Sequence, residues 1–82
     1  MITIYTKAHC HKCEDIKKRL KDGGVAYAEQ STEDRQVMQA LIAKLTAAGL
    51  KNPLLPVLEF DDGSLVSNDL GLLKELKQRG IL

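Results

Sequence analysis

Two strand-length apolar runs, residues 2–5 and 25–29, flank a helix-length amphipathic segment, and this alternation constrains the fold of the 82-residue chain more than any other feature. Strands joined through a helix pair in parallel by a right-handed crossover, so the chain should open as a β-α-β unit. In the segment between them Ile16 and Leu20 recur at helical spacing among Lys17, Lys18, Arg19 and Lys21, and the pattern stops at Asp22-Gly23-Gly24. A second helix is expected after a cap in Ser31-Thr32-Glu33-Asp34, with Val37, Met38, Leu41, Ile42 and Leu45 as its apolar positions up to Gly49. Residues 50–55 form a connector, and Pro56 precedes a third strand at 57–60. Asp61-Asp62-Gly63 is a hairpin signal leading into an antiparallel fourth strand at 64–66. Ser67, Asn68 and Asp69 offer caps for a last helix that carries Leu70, Leu73 and Leu76 on one face and ends near Arg79-Gly80. The expectation is an α/β fold in the order β-α-β-α-β-β-α, a mixed four-stranded sheet with three helices, as one domain over residues 1–82.

Cys10 and Cys13 fall where the first strand gives way to the first helix. Helical residues three apart share a face, so the two thiols can meet, and the free N–H groups and dipole of a helix start stabilise a thiolate at Cys10. A thiolate with a second thiol in reach is equipped for thiol–disulfide exchange. Cys10, the more exposed of the two, is the expected nucleophile, and Cys13, a turn further in, the resolving thiol. So closely spaced a pair cannot staple a fold, and in a reducing compartment it points to redox or metal chemistry; the bland alternative is two small core residues.

Lys7, His9, His11 and Lys12 surround the pair with positive or protonatable groups that favour the thiolate and attract anions. His11 stands between the cysteines, where a change of charge near neutral pH would alter the redox balance, whereas His9 reads as an exposed loop residue. Lys12 reads equally as a tuning group and as a solvated side chain. Glu14 and Asp15 are first-turn acids that suit the helix dipole. The basic face of Lys17, Lys18 and Lys21 reads as solvated surface on which an acidic partner could dock.

A net charge of +1 and only three aromatics, Tyr5, Tyr27 and Phe60, argue against nucleic acid as partner. No apolar run has the length of a membrane span, and no basic, apolar and cleavage-site sequence opens the chain, so a cytoplasmic, monomeric protein without a membrane partner is expected.

The element order, the dithiol at the start of helix one and the proline before strand three together resemble the thioredoxin superfamily. The short chain is most similar to a small glutaredoxin or glutaredoxin-like redoxin. The residues that carry the likeness are Tyr5-Thr6-Lys7-Ala8-His9-Cys10-His11-Lys12-Cys13, then Leu55-Pro56-Val57, then Asp62-Gly63 and Ser67-Asn68-Asp69. It implies a cis peptide before Pro56, with this proline lying against the dithiol, and Lys7 near the thiols. It also implies Asp69 near the amine of a bound glutathione, with Leu55, Pro56 and Asn68 in the same substrate site. Typical members carry Pro-Tyr between the cysteines, Thr-Val before the proline and Gly-Gly before the last helix. This chain has His11-Lys12, Leu54-Leu55 and Val66-Ser67. The implied activity is that of a small dithiol–disulfide oxidoreductase, an electron donor to protein disulfides or glutathione mixed disulfides, with glutathione as co-substrate and no tightly bound cofactor. Redoxins fed by a thioredoxin-type reductase, with ribonucleotide reductase as acceptor, are an equally natural comparison.

A metal carrier is the alternative of another class, because small copper chaperones also place Cys-x-x-Cys between a first strand and a first helix, and His9 and His11 could add nitrogen ligands. Their order, β-α-β-β-α-β, differs from the one expected here, and no distal Cys or His completes a closed zinc site. Iron–sulfur transfer on a bridging cluster needs one cysteine per subunit, and the second cysteine makes a dithiol reductase the simpler account.

Overall fold

The computed structural model describes residues 1–50, 54–68 and 71–82. Its elements run β1 (Ile2–Thr6), α1 (His11–Asp22), β2 (Tyr27–Ser31), α2 (Arg35–Ala47), β3 (Val57–Glu59), β4 (Leu65–Ser67) and α3 (Leu72–Gln78). The sheet order is β2-β1-β3-β4. β1 pairs in parallel with β2, from Ile2 opposite Tyr27 to Thr6 opposite Ser31, and antiparallel with β3, where Ile4 faces Leu58. β4 closes the hairpin with Val66 opposite Leu58. This is the mixed sheet that the alternation of elements demands.

Strand alternation then sorts the side chains into two cores. Ile2, Ile4, Leu58, Phe60 and Val66 meet Ile16 and Leu20 of α1 and Leu72 and Leu76 of α3 on one face. Tyr5 and Val57 meet Leu41 and Leu45 of α2 on the other. On α1 the buried positions Cys13, Ile16 and Leu20 share one stripe, so the burial of the helix also aims the second cysteine inward.

The structure corrects several boundaries. β2 lies two residues later than residues 25–29, because the Val25 N–H is taken by Leu20 O at 2.8 Å in the exit of α1 and its side chain packs on the core instead of joining the ladder. β4 lies one residue later than 64–66: Ser64 belongs to the turn, its N–H and hydroxyl both donating to Asp62 Oδ1 at 2.9 and 2.6 Å. The cap of α2 is Asp34, which accepts from the N–H groups of Gln36 and Val37. Of its apolar positions Leu41 and Leu45 are buried, whereas Met38 and Ile42 are 38% and 50% exposed, since a single helix on a sheet buries only a narrow stripe.

The last helix departs most. Ser67 ends β4, the Asn68 N–H donates to Leu54 O, and α3 starts after Gly71, which has φ +75° and no side-chain cap. Its buried residues are Leu72 and Leu76, with Leu73 at the margin; Leu70 and Asp69 lie outside the described residues. Among the described residues no helix is long and apolar enough to cross a membrane.

Candidate redox site

β1 ends at the buried Thr6, an exposed loop of Lys7, Ala8 and His9 turns with His9 at φ +57°, and Cys10 then caps α1. Cys10 has extended backbone angles, φ −104° and ψ 102°, which leave its side chain free to fold over the first turn. Its Sγ accepts from the Cys13 N–H at 3.2 Å, and its carbonyl accepts from the Glu14 N–H at 3.1 Å. A sulfur thus occupies the position that a Ser or Asp oxygen fills at an ordinary helix start. A donor N–H and the positive end of the helix dipole both lower the energy of a thiolate there. Cys10 and Cys13 are joined as a disulfide with their Cα atoms 5.2 Å apart. Cys13 is fully buried, and Cys10 is half-buried at the surface.

Lys7, Cys10, His11, Lys12, Leu54 and Leu55 line one cleft of about 320 Å³. The sequence-expected residues Lys7, His11, Lys12 and Leu55 are therefore brought together around the Cys10 sulfur. Leu54, 49% exposed, adds an apolar wall that was legible only as a departure from the usual Thr-Val. The Leu55–Pro56 peptide is cis and Pro56 is fully buried. Asn68 is half-buried, with its backbone tied to Leu54, and does not line the cleft. Asp69, expected beside a glutathione amine, lies outside the described residues. Among the described residues no group of three or more His, Cys, Asp or Glu side chains is placed to hold a metal ion.

One cluster beside the site has no counterpart in the sequence reading. Lys17, expected as solvated surface, is only 17% exposed in its side chain, and its Nζ lies 2.8 Å from Glu14 Oε1 and 3.0 Å from Glu29 Oε2. The Thr6 hydroxyl donates to the same Glu29 oxygen at 2.8 Å. This ties the last residue of β1 to β2 and α1, and Thr6 O is in turn held by the Thr32 N–H and hydroxyl at 2.7 and 2.9 Å. The signal was not local: Glu29 reaches Thr6 and Lys17 only through the register of β2 on β1. The bonds from Thr6 and then Lys17 hold the Glu29 carboxyl below its ordinary value, and Glu14, then Glu29, raise the Lys17 ammonium. On the opposite face Tyr5 donates to Glu59 Oε1 at 2.8 Å while Lys44 donates to both. Burial works to raise the Glu59 carboxyl, but the bonds from Lys44 and Tyr5 outweigh it and hold it low.

A pH dependence of stability follows. As pH falls below the ordinary value of 4.5, the unfolded chain takes up protons at positions 29 and 59 before the folded one does, so these groups stabilise the fold above that value and cease to as pH drops through their lower folded values. The urea midpoint is expected to fall between about pH 5 and 3, with the Glu29→Gln protein less stable than wild type at neutrality and converging on it in acid. Parallel curves for the two proteins across that range would remove Glu29 from the account.

A glutaredoxin family model matches residues 2–66. Among solved structures, the crystal structure of the thioredoxin-like protein BC3987 is similar, with 25% sequence identity and a TM-score of 0.70 over 100% of each chain. A comparison with curated proteins finds no match.

Proposed function

The chain belongs to the glutaredoxin family, and on that premise we propose that it is a small dithiol oxidoreductase reducing protein disulfides or glutathione mixed disulfides through Cys10 and Cys13. The observation that carries the reading is the Cys13 N–H pointing at Cys10 Sγ from the first turn of α1, with the second sulfur buried in bonding reach behind it. In the reduced protein the Cys10 thiolate attacks one sulfur of the substrate disulfide. That bond breaks, a Cys10–substrate disulfide forms, and the other substrate sulfur leaves as a thiolate that takes a proton from water. Cys13 then gives up its proton and attacks Cys10 Sγ, releasing the second substrate thiol and leaving the Cys10–Cys13 disulfide. Two electrons and two protons have passed to the substrate, and a thiol reductant must return them.

Lys7, His11 and Lys12 have the role of favouring the thiolate by their charge and of drawing anionic groups into the cleft, and Leu55 and Pro56 that of a surface for the substrate backbone beside the sulfurs. Glutathione is the proposed reductant, bound in the cleft with its carboxylates toward Lys7 and Lys12 and its amine toward Asp69. A second reading is favoured by the apolar wall of Leu54 and Leu55, which suits a protein surface better than a small polar tripeptide: electrons from a thioredoxin-type reductase, passed on to an acceptor such as ribonucleotide reductase. A cytoplasmic monomer with no resident cofactor completes the proposal.

Reduction of insulin and of a small glutathione mixed disulfide, each with either glutathione plus glutathione reductase or NADPH plus thioredoxin reductase, tests it. Turnover of both disulfides is expected. Dependence on glutathione supports the first reductant, and dependence on the reductase alone the second. No turnover with either supply, together with tight stoichiometric binding of monovalent copper, would move the protein to the metal-carrier class.

A further inference from the structure

The chain is nearly neutral overall, but its unpaired cations are not spread evenly around α1. Lys17 is held by Glu14 and Glu29, and Arg19 by Asp15. Lys18 and Lys21 are exposed and have no hydrogen bond or ion pair among the described residues. Lys7 and Lys12 at the dithiol are in the same condition. At the hairpin end of the sheet, in contrast, Asp61 meets the N-terminal amine and Asp62 meets Arg79. Cations without an ion-pair partner among the described residues are thus present both at the dithiol and along the helix that leaves it, where Asp22 is the one carboxylate of α1 likewise without one.

Shape and continuity add to charge. Glu14, Lys17, Lys18, Lys21 and the half-buried Tyr27 of β2 line a second cleft of about 300 Å³. His11, Glu14, Lys18 and Lys21 follow one another at steps of three, four and three residues, so they form one stripe on α1. His11 also lines the dithiol cleft, which makes the stripe continuous with it. Glu14 of the stripe is already engaged by Lys17, and Asp22, one turn on from Lys18, stands at its far end. From Cys10 to Lys21 the helix rises about 16 Å, the reach of some five residues of extended peptide.

We propose that this stripe docks an acidic segment of the disulfide-bearing protein substrate. Carboxylates within about six residues of the substrate cysteine lie on Lys18 and Lys21, and an apolar neighbour packs on the Tyr27 ring. The proposal rests on the reading of Cys10 and Cys13 as the redox pair. The docked charge orients the substrate and raises its encounter rate, and it extends the preference for anionic groups at Lys7 and Lys12 to substrate residues beyond the dithiol cleft.

Two peptides test it, each with one cysteine in a mixed disulfide, identical except that four flanking residues are Asp and Glu in one and Asn and Gln in the other. Docking is read first by titrating the wild-type protein with the serine analogue of each peptide, so that no turnover is needed. The acidic analogue is expected to bind about tenfold more tightly at low salt, with the preference falling as salt rises. Lys18→Glu/Lys21→Glu should remove most of the preference, leaving what Lys7 and Lys12 supply at the dithiol, Lys18→Gln/Lys21→Gln should reduce it, and Lys74→Glu/Lys77→Glu on α3 should retain it. Equal binding of the two analogues, or a preference that survives Lys18→Glu/Lys21→Glu undiminished, overturns the proposal. Reduction of the disulfide peptides is read separately: if docking is found but neither peptide is reduced, it is the redox reading that fails.

Discussion

Replacing Cys10 by serine is expected to lower disulfide reduction by roughly three orders of magnitude or more, the scale on which covalent nucleophiles are lost. A hydroxyl at the head of α1 can still accept the Cys13 N–H and cap the helix, so the fold should survive while the chemistry stops. Cys13→Ser should behave differently. The Cys10 thiolate still attacks, but no buried thiol waits behind it, and the protein should accumulate as a mixed disulfide that mass spectrometry reads as an added substrate mass. Where a small thiol can resolve that species from solution, as glutathione can, some turnover should return. A Cys10→Ser protein with full activity, or a Cys13→Ser protein that forms no mixed disulfide, would reverse or remove the assigned roles.

The second large effect is on stability. Leu58 is fully buried at the centre of the sheet, opposite Ile4 on one side and Val66 on the other, in the core covered by α1 and α3. Leu58→Ala removes three methyl or methylene-scale groups from a site walled by two strands and two helices, where little can collapse to refill the space. The cost should be about 3 kcal/mol, against a total of about 4–12 kcal/mol for a chain of this length. The thermal midpoint is expected to fall by about 15 °C. A fall of only a few degrees in a circular-dichroism melt would mean that this part of the core can repack.

The parts of this molecule that are written locally were legible before its structure. The β-branched run at residues 2–5, the stop at Gly23-Gly24, the Asp61-Asp62-Gly63 turn and the Cys-x-x-Cys at a strand-to-helix junction each rest on neighbours in sequence. Misreadings arise where a distant partner decides. Val25 looks like a strand residue, but a bond to Leu20 removes it from the ladder. Ser67 looks like the start of the last helix, but pairing with β3 keeps it in the sheet, and α3 starts only after Gly71. Met38 and Ile42 have the helical spacing of core residues, and only the width of the surface that α2 covers leaves them outside. Lys17 has a helical neighbour in Glu14, but its second carboxylate, Glu29, comes only with the register of β2 on β1.

Of the four strands, β1 is one of the two bonded on both sides, and it alone runs directly into the dithiol loop. Its last carbonyl is gripped twice by Thr32, and its last hydroxyl by Glu29. The reactive sulfur is therefore set one short loop beyond a central strand and at the head of α1, rather than on an edge of the sheet. A protein whose partner must seize and release a covalent bond in every cycle gains from this placement. A pull on Cys10 is passed through the short loop of Lys7, Ala8 and His9 into a strand anchored by two neighbours, and on its other side into the first turn of α1, which holds the Cys10 carbonyl and sulfur.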